Sequence, residues 1–140
     1  MEKPGPGPDK CGVNFVSQDN DDPTARNIAE ILNKVSIARH HVVFWNAIPA
    51  WDGERRVKPW EIDRASAVLP ELLVRIPSVK VVVGVGLKAQ GLLKEMSGAV
   101  PEDVPRFGSY HPSNLVKNRW PAKYDSIADV WLAAYKASGF

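Results

Sequence analysis

The valine-rich segment at residues 79–85 constrains the fold of this chain more than any other feature. Five of its seven residues are valine, which predicts a buried β-strand, and the segment runs into Gly84 and Gly86. A helical pattern follows over residues 87–96. A buried strand followed by a helix is typical of a parallel sheet, because parallel strands need long crossover connections.

Strand and helix patterns alternate along the rest of the chain. Residues 1–22 read as a loop, and a helix follows to about residue 36, with Asp22 as its N-cap and Pro23 in its first position. We predict a buried strand at residues 41–45, a weaker strand at about residues 106–110, a helix at 61–76 that is kinked by Pro70, and a last helix from about Pro121. The prediction is one α/β domain over residues 1–140, in three layers, with a mostly parallel central sheet and helices on both faces.

The composition excludes several classes of protein. No apolar run approaches the roughly 20 residues of a membrane helix, and the first ten residues lack the apolar core of a secretory signal. The single cysteine, Cys11, excludes an internal disulfide and a four-cysteine metal or iron–sulfur site. We therefore expect a cytoplasmic protein. As a separate prediction, we expect the protein to need no metal and no cofactor.

Positive charge is concentrated in one part of the chain, although the formal net charge is only +2. Residues 104–124 contain Arg106, Lys117, Arg119 and Lys123 and no acid. Such a stretch suits the phosphate backbone of a nucleic acid. A solvated positive face is an equally good interpretation.

Three polar segments follow the predicted strands directly: Asn46, residues 84–90, and residues 111–113. In a parallel sheet the ligand crevice lies beyond the carboxyl ends of the strands, so these segments are predicted to meet there. The glycines of residues 84–90 have two interpretations. They let the backbone approach a phosphate, or they serve close packing of strand and helix.

Several segments together resemble the uracil-DNA glycosylase superfamily. They are residues 2–5 (EKPG), Phe15, residues 42–49 (VVFWNAIP), residues 81–90 (VVVGVGLKAQ) and residues 110–115 (YHPSNL). Residues 15–27 (FVSQDNDDPTARN) are similar to a bacterial branch of that superfamily. The resemblance implies a DNA-repair enzyme that hydrolyses the N-glycosidic bond of uracil or a related deaminated base, with damaged DNA as its partner.

The resemblance also implies roles for three side chains. His111 would donate a hydrogen bond to the carbonyl oxygen of the departing base, where negative charge develops. Asn46 would read the polar edge of the flipped base, and Phe15 would stack on it. The alternatives are a histidine that caps a strand end, an asparagine that caps a turn, and a core phenylalanine.

A further set of residues is expected to contact DNA. Leu115 matches the leucine that the family inserts where the base has left the duplex. The expected phosphate contacts, by position and charge, are Ser109, Ser113, Lys117 and Arg119. An ordinary loop leucine and a solvated basic face are the alternatives.

The acid that orients water is expected near the start of the chain. In the family's first motif Lys3 stands where some branches have aspartate, and Glu2 stands where others have glutamate. Glu2 is therefore the first candidate for this role. Asp19 and Asp21 are the second candidates, and acids of a solvated loop are the alternative for all three.

One departure from the family's pattern is large. The family has a central strand just before its first motif, whereas this sequence begins inside that motif. We expect either a shortened form of a longer protein or a molecule without that strand, whose unpaired sheet edge favours self-association. Three functions remain open: an active glycosylase, a non-catalytic DNA-binding descendant, and an unrelated nucleotide binder or small-molecule enzyme.

Overall fold

Residues 2–6 and 13–140 are described by the computed structural model of the protein, so Met1 and Cys11 lie outside the described part. Its helices and strands, in chain order, are β1 (Gly5–Pro6), β2 (Val13–Asn14), α1 (Pro23–Lys34), α2 (Pro59–Arg75), β3 (Val82–Val85), α3 (Leu87–Glu95), β4 (Arg106–Ser109), α4 (Asn114–Arg119) and α5 (Pro121–Ala137). Among the helices described, none has the length and apolar character that spanning a membrane requires.

The strands β3 and β4 form a parallel pair. Val82 lies opposite Arg106 and Val85 lies opposite Ser109, so both strands end at the same edge. This pair confirms an α/β fold with parallel pairing. The strand β3 starts at Val82, later than the predicted start at residue 79. The amide of Val79 still donates a hydrogen bond to the carbonyl oxygen of Ile76, in the turn that follows α2.

The predicted buried strand at residues 41–45 is wrong. A 3-10 turn covers Arg39–His41, and the extended residues that follow form no ladder in the described part of the chain. Phe44 packs against the core, but Val43 is 60% exposed. Exposed and partly buried side chains alternate along residues 41–45, so this segment is not enclosed on both faces as a buried strand would be.

The loop predicted for residues 1–22 also needs correction. Two short strands, β1 and β2, pair antiparallel within it, with Gly5 opposite Asn14. Proline and glycine give this region no local strand signal, so the pairing depends on contacts between distant segments.

The start of α1 agrees with the prediction. The carboxylate of Asp22 accepts a hydrogen bond of 2.9 Å from the amide of Ala25, and Pro23 occupies the first turn. The helix then buries Ile28, Ile31 and Leu32. These side chains form the larger hydrophobic cluster together with residues of α5, chiefly Ile127 and Trp131.

The helix α2 begins at Pro59, two residues before the predicted start, and continues through Pro70. Glu61 closes its first turn by accepting a 2.8 Å hydrogen bond from the amide of Lys58. A second hydrophobic cluster, around Ile48, Ala65, Leu92 and Met96, joins α2 to α3.

Within the described residues, β3 pairs with β4 alone, so the wide central sheet predicted from the sequence is not observed there. An apolar groove of about 340 Å³ is lined by residues 79–85 and by residues 40–45. The groove therefore lies between β3 and the extended segment 40–45, with which β3 forms no ladder in the described residues.

Candidate active site

A cavity of about 740 Å³ opens where β3 and β4 end. Its wall includes Glu2, Phe15, Asn46 and His111, which are far apart along the chain. The volume is typical of sites that bind small molecules or single nucleotides. The structure therefore brings together four of the site residues predicted from the sequence.

His111 follows β4 and is held from two sides. The next residue, Pro112, is fully buried, and its carbonyl oxygen accepts a 3.0 Å hydrogen bond from the side-chain amide of Asn27. On the other side lies Gly86, whose φ of +91° favours glycine. A Cβ atom on Gly86 would stand only 3.3 Å from the Cβ atom of His111.

The environment of His111 favours the neutral imidazole. Removal from solvent lowers the pKa of His111 below its usual value of 6.5, and Asp22 opposes this shift only in part. A neutral imidazole carries one N–H donor and one acceptor nitrogen. Near pH 7 the ring can therefore donate a hydrogen bond to an oxygen on which negative charge develops.

Asn46 is 5% exposed, and its orientation is fixed by the backbone of a distant segment. Its Oδ1 atom accepts a 2.9 Å hydrogen bond from the amide of Val16. Because an N–H group needs an acceptor, this contact settles which end of the amide is oxygen. The Nδ2 group is then the donor with which Asn46 can read a base.

Phe15 lies at the mouth of the cavity and is 49% exposed, which is unusual for a core phenylalanine. Its carbonyl oxygen accepts a 2.8 Å hydrogen bond from the side chain of Asn20, and the adjacent Val16 is held by Asn46. The backbone that carries the ring is thus fixed at two neighbouring points.

Glu2 reaches the same cavity from the start of the described chain. Its carbonyl oxygen accepts a 2.8 Å hydrogen bond from the amide of Ile48, which ties this segment to the residues after Asn46. Its carboxylate is 3.4 Å from the ammonium group of Lys88 and remains partly exposed. Glu2 is therefore the predicted acid that lines the cavity.

Lys3 is engaged in a buried ionic cluster. Its ammonium group is 2.6 Å from a carboxylate oxygen of Asp52 and 2.6 Å from one of Glu61, and its side chain is 2% exposed. Burial lowers the pKa of Lys3, but the hydrogen bonds to both acids outweigh it and raise the pKa above its usual value. The charge that stands at the family's aspartate position is thus neutralised within the protein.

The other two predicted acids lie elsewhere. Asp19 forms an exposed ion pair with Arg39, whose hydrogen bond lowers the pKa of Asp19, and Asp21 pairs with Arg26. Neither side chain lines the cavity. In residues 2–6 and 13–140, no group of three or more metal-binding side chains is suitably placed for an ion.

The two serines predicted to bind phosphate have partners inside the protein. The hydroxyl of Ser109 is buried and accepts a 3.0 Å hydrogen bond from the indole N–H of Trp131. Ser113 is the N-cap of α4 and accepts a hydrogen bond from the amide of Val116. Ser109 therefore joins the end of β4 to α5, whereas Ser113 caps the helix that follows His111.

The remaining predicted DNA contacts lie on α4. Leu115 is 64% exposed, and Arg119 is also exposed, with its guanidinium 5.1 Å from the ring centroid of Trp120. The ammonium group of Lys117 instead contacts Asn27 at 3.1 Å and Glu30 at 2.9 Å. Leu115 and Arg119 are therefore open to a ligand, while Lys117 is bound to α1.

The glycines of residues 84–90 serve packing as well as the cavity wall. Gln90 lies over both strands and donates a 2.8 Å hydrogen bond to the carbonyl oxygen of Ser109. Added Cβ atoms would lie 3.1 Å from Gln90 at Gly84 and 2.6 Å from it at Gly108. Close packing explains Gly84, and the approach of His111 explains Gly86.

Asn27 is a site residue to which the sequence analysis assigned no role. It is 3% exposed, and its side chain bonds to Pro112, Asn114 and Lys117. It therefore joins α1 to the loop that carries His111. The available signal was an amide placed among the apolar positions of an amphipathic helix.

The arrangement is a cavity at the carboxyl ends of parallel strands, and its wall includes a histidine whose pKa is lowered, an oriented amide, an exposed aromatic ring and the Glu2 carboxylate. These side chains give the cavity hydrogen-bond donors and acceptors and an aromatic face. The family model of the Uracil DNA glycosylase superfamily matches residues 2–134, and the chain belongs to that superfamily. No match to the chain is found among curated proteins or among solved structures.

Proposed function

We propose that the protein is a DNA glycosylase that hydrolyses the N-glycosidic bond of uracil, or of a related deaminated base, in base excision repair. The observation that carries the proposal is the placement of His111, Asn46, Phe15 and Glu2 around one cavity. Membership of the superfamily supports the same class of reaction.

Each of these four side chains has its own role in binding the base or in breaking the glycosidic bond. Phe15 stacks on the extruded base, and the Nδ2 group of Asn46 donates to its polar edge. When the glycosidic bond breaks, its electron pair moves to the base, and the N–H of His111 stabilises the charge on the carbonyl oxygen. Glu2 orients a water molecule, whose oxygen bonds to the sugar carbon while its proton passes to the carboxylate.

We propose that Leu115 and Arg119 meet the DNA directly, since both are exposed on α4. Ser113 acts through the loop that it caps, and Lys117 and Ser109 act by holding that loop and β4 in place. These roles fit the basic stretch that supplies the sequence-independent part of DNA binding.

The test is release of free base from oligonucleotides that differ at one position, uracil or thymine. We expect release from the uracil strand alone, and a loss of about 10²–10⁴-fold in rate for Glu2→Gln, which removes the charge and keeps the shape. Release at the normal rate by Glu2→Gln would exclude the role of this carboxylate.

A non-catalytic DNA-binding function is the second candidate. The observation that favours it is the Lys88 ammonium group 3.4 Å from the Glu2 carboxylate, which competes with water for that group. Salt-dependent DNA binding without release of any base would select this function over hydrolysis.

We also propose that the open side of β3 promotes self-association. In the described residues β3 pairs on one side only and an apolar groove lies beside it, so a further strand could pair there, and a second copy of the chain supplies one. A strand bound there would widen the sheet toward the three-layer arrangement expected from the sequence.

A further inference from the structure

Two aromatic side chains lie beside the base-binding cavity and have no part in the proposed reaction. Tyr110 and Trp120 both line the cavity that contains His111. Trp120 is 40% exposed, whereas Trp131, in the core, is 6% exposed. An indole left open next to a cavity presents a flat apolar surface to whatever enters.

The backbone of Trp120 is held in a fixed position between α4 and α5. Its amide donates a 2.9 Å hydrogen bond to Val116, and its carbonyl oxygen accepts a 3.0 Å hydrogen bond from the amide of Tyr124. Because the residue is bonded into both helices, little backbone freedom is lost when a ligand stacks on the ring.

Cations surround these rings. The ammonium group of Lys123 is 5.3 Å from the ring centroids of both Tyr110 and Trp120, and the guanidinium of Arg119 is 5.1 Å from that of Trp120. Both cations belong to the stretch 104–124, which contains no acid. Aromatic faces next to positively charged side chains are the combination with which proteins bind single-stranded nucleic acid.

We propose that Trp120 and Tyr110, together with Lys123 and Arg119, form a subsite for a second nucleotide of a single DNA strand. The base of this nucleotide stacks on Trp120, and its phosphate binds Lys123 or Arg119. The proposal names the substrate class of the glycosylase proposed above and, as a statement about the reaction, rests on that function.

The subsite discriminates between single and double strands for a physical reason. In a duplex the neighbouring base is paired and stacked on both faces, so its ring is not available to Trp120. In a single strand the base is free to exchange stacking on its neighbours for stacking on the indole. Single-stranded or locally melted DNA is therefore the preferred substrate.

The experiment measures binding of an undamaged thymidine oligonucleotide, single-stranded or annealed, by fluorescence anisotropy. We expect Trp120→Ala to weaken single-strand binding by roughly five- to hundredfold, with a much smaller effect on the duplex. Trp120→Phe keeps an aromatic face and should retain most of the affinity. The matched control is Trp60→Ala, because Trp60 is 51% exposed and does not line the cavity.

The proposal would be overturned if Trp120→Ala bound the single strand as tightly as wild type does. It would also be overturned if the variant lost affinity equally for the single strand and the duplex. Lys123→Gln gives a second measurement that does not depend on changing the tryptophan. It should lower the slope of log Kd against log salt by about 0.7 on the single strand. An unchanged slope for both Lys123→Gln and Arg119→Gln would count against the phosphate contact.

Base release separates this proposal from the proposed function. If wild type releases uracil and Trp120→Ala releases it equally well from single strands at limiting substrate, the subsite is wrong and the glycosylase stands. If wild type releases nothing while Trp120→Ala still loses single-strand affinity, the subsite stands and the reaction is wrong.

Discussion

His111 and Asn46 are oriented by groups that lie far from them in the sequence. The loop of His111 is fixed by Asn27 and by the close approach of Gly86, and Asn46 is fixed by the amide of Val16. Side chains held in this way lose little freedom when a ligand binds.

Because the pKa of His111 is lowered in the folded protein, we expect the stability of the protein to depend on pH. The pKa is lowered by removal from solvent, so below about pH 6.5 the unfolded chain binds a proton more readily than the folded one. The free energy of unfolding should therefore fall as the pH drops below that value. Above that value both states bind no proton at His111, so His111 should cause no dependence on pH. Urea unfolding of wild type and His111→Gln across pH 5–8 measures the difference. A difference that does not change with pH would contradict the shift.

Asn46→Asp separates folding from base reading. The carboxylate still accepts the hydrogen bond of Val16, but a charge at a position that is 5% exposed loses its hydration, so we expect a lower melting temperature with the fold retained at the assay temperature. The Nδ2 donor is lost, however, and the rate of uracil release should fall by about 10²–10³-fold. Single-turnover release by wild type and variant gives the ratio, and an unchanged rate would remove Asn46 from the site.

At the scale of elements, α1 positions the loop after β4 as well as forming the core. Its apolar face packs on α5, and Asn27 on the same helix bonds to Pro112, Asn114 and Lys117. The stability of the loop after β4 is therefore coupled to the docking of α1.

Asn27→Ala tests this coupling. Loss of the amide leaves the buried carbonyl of Pro112 without this donor, which should cost about 1–3 kcal/mol in the free energy of unfolding. Base release should fall as well, because the loop of His111 loses its anchor. The control is Asn33→Ala, an exposed position on the same helix. Equal stability of the two variants would show that the anchor is unimportant.

Local signals in the sequence predicted some elements well and others poorly. The N-cap of α1 and the strand β3 depend on neighbours in the chain, and both were found. The segment 41–45 has the composition of a strand, but a strand also needs a partner, and composition does not supply one.

The candidate site was likewise predicted only in part from the sequence. Residues that follow predicted strands, such as Asn46 and His111, were expected to converge, because strand ends share one edge in a parallel sheet. Asn27 and Gln90 were assigned no role of their own, because their roles depend on distances between helices and strands. The ionic partners of Lys3 lie about fifty positions away and could not be paired from sequence alone.

At the scale of the whole molecule, the main open question is what covers the side of β3 that faces away from β4. In the described residues β3 has no strand partner on that side. The apolar groove beside it is lined by Val43, which is 60% exposed. An edge of this kind is commonly covered by another strand or protected by charge.

Val43→Lys should therefore weaken self-association. Sedimentation velocity over a range of concentrations should show wild type associating and the variant shifted toward the monomer. Val74→Lys is the control, since Val74 is 79% exposed on α2 and does not line the groove. A wild type that stays monomeric throughout would refute the role proposed for this edge.

Uracil release from a single-stranded oligonucleotide by wild type, His111→Ala and His40→Ala is the most direct test of the whole account. His40 is exposed and lies outside the cavity, so its variant controls for loss of an imidazole alone. We predict release by wild type and His40→Ala, and a rate about 10²–10³-fold lower for His111→Ala. No release by wild type, or full release by His111→Ala, would contradict the proposed reaction at this site.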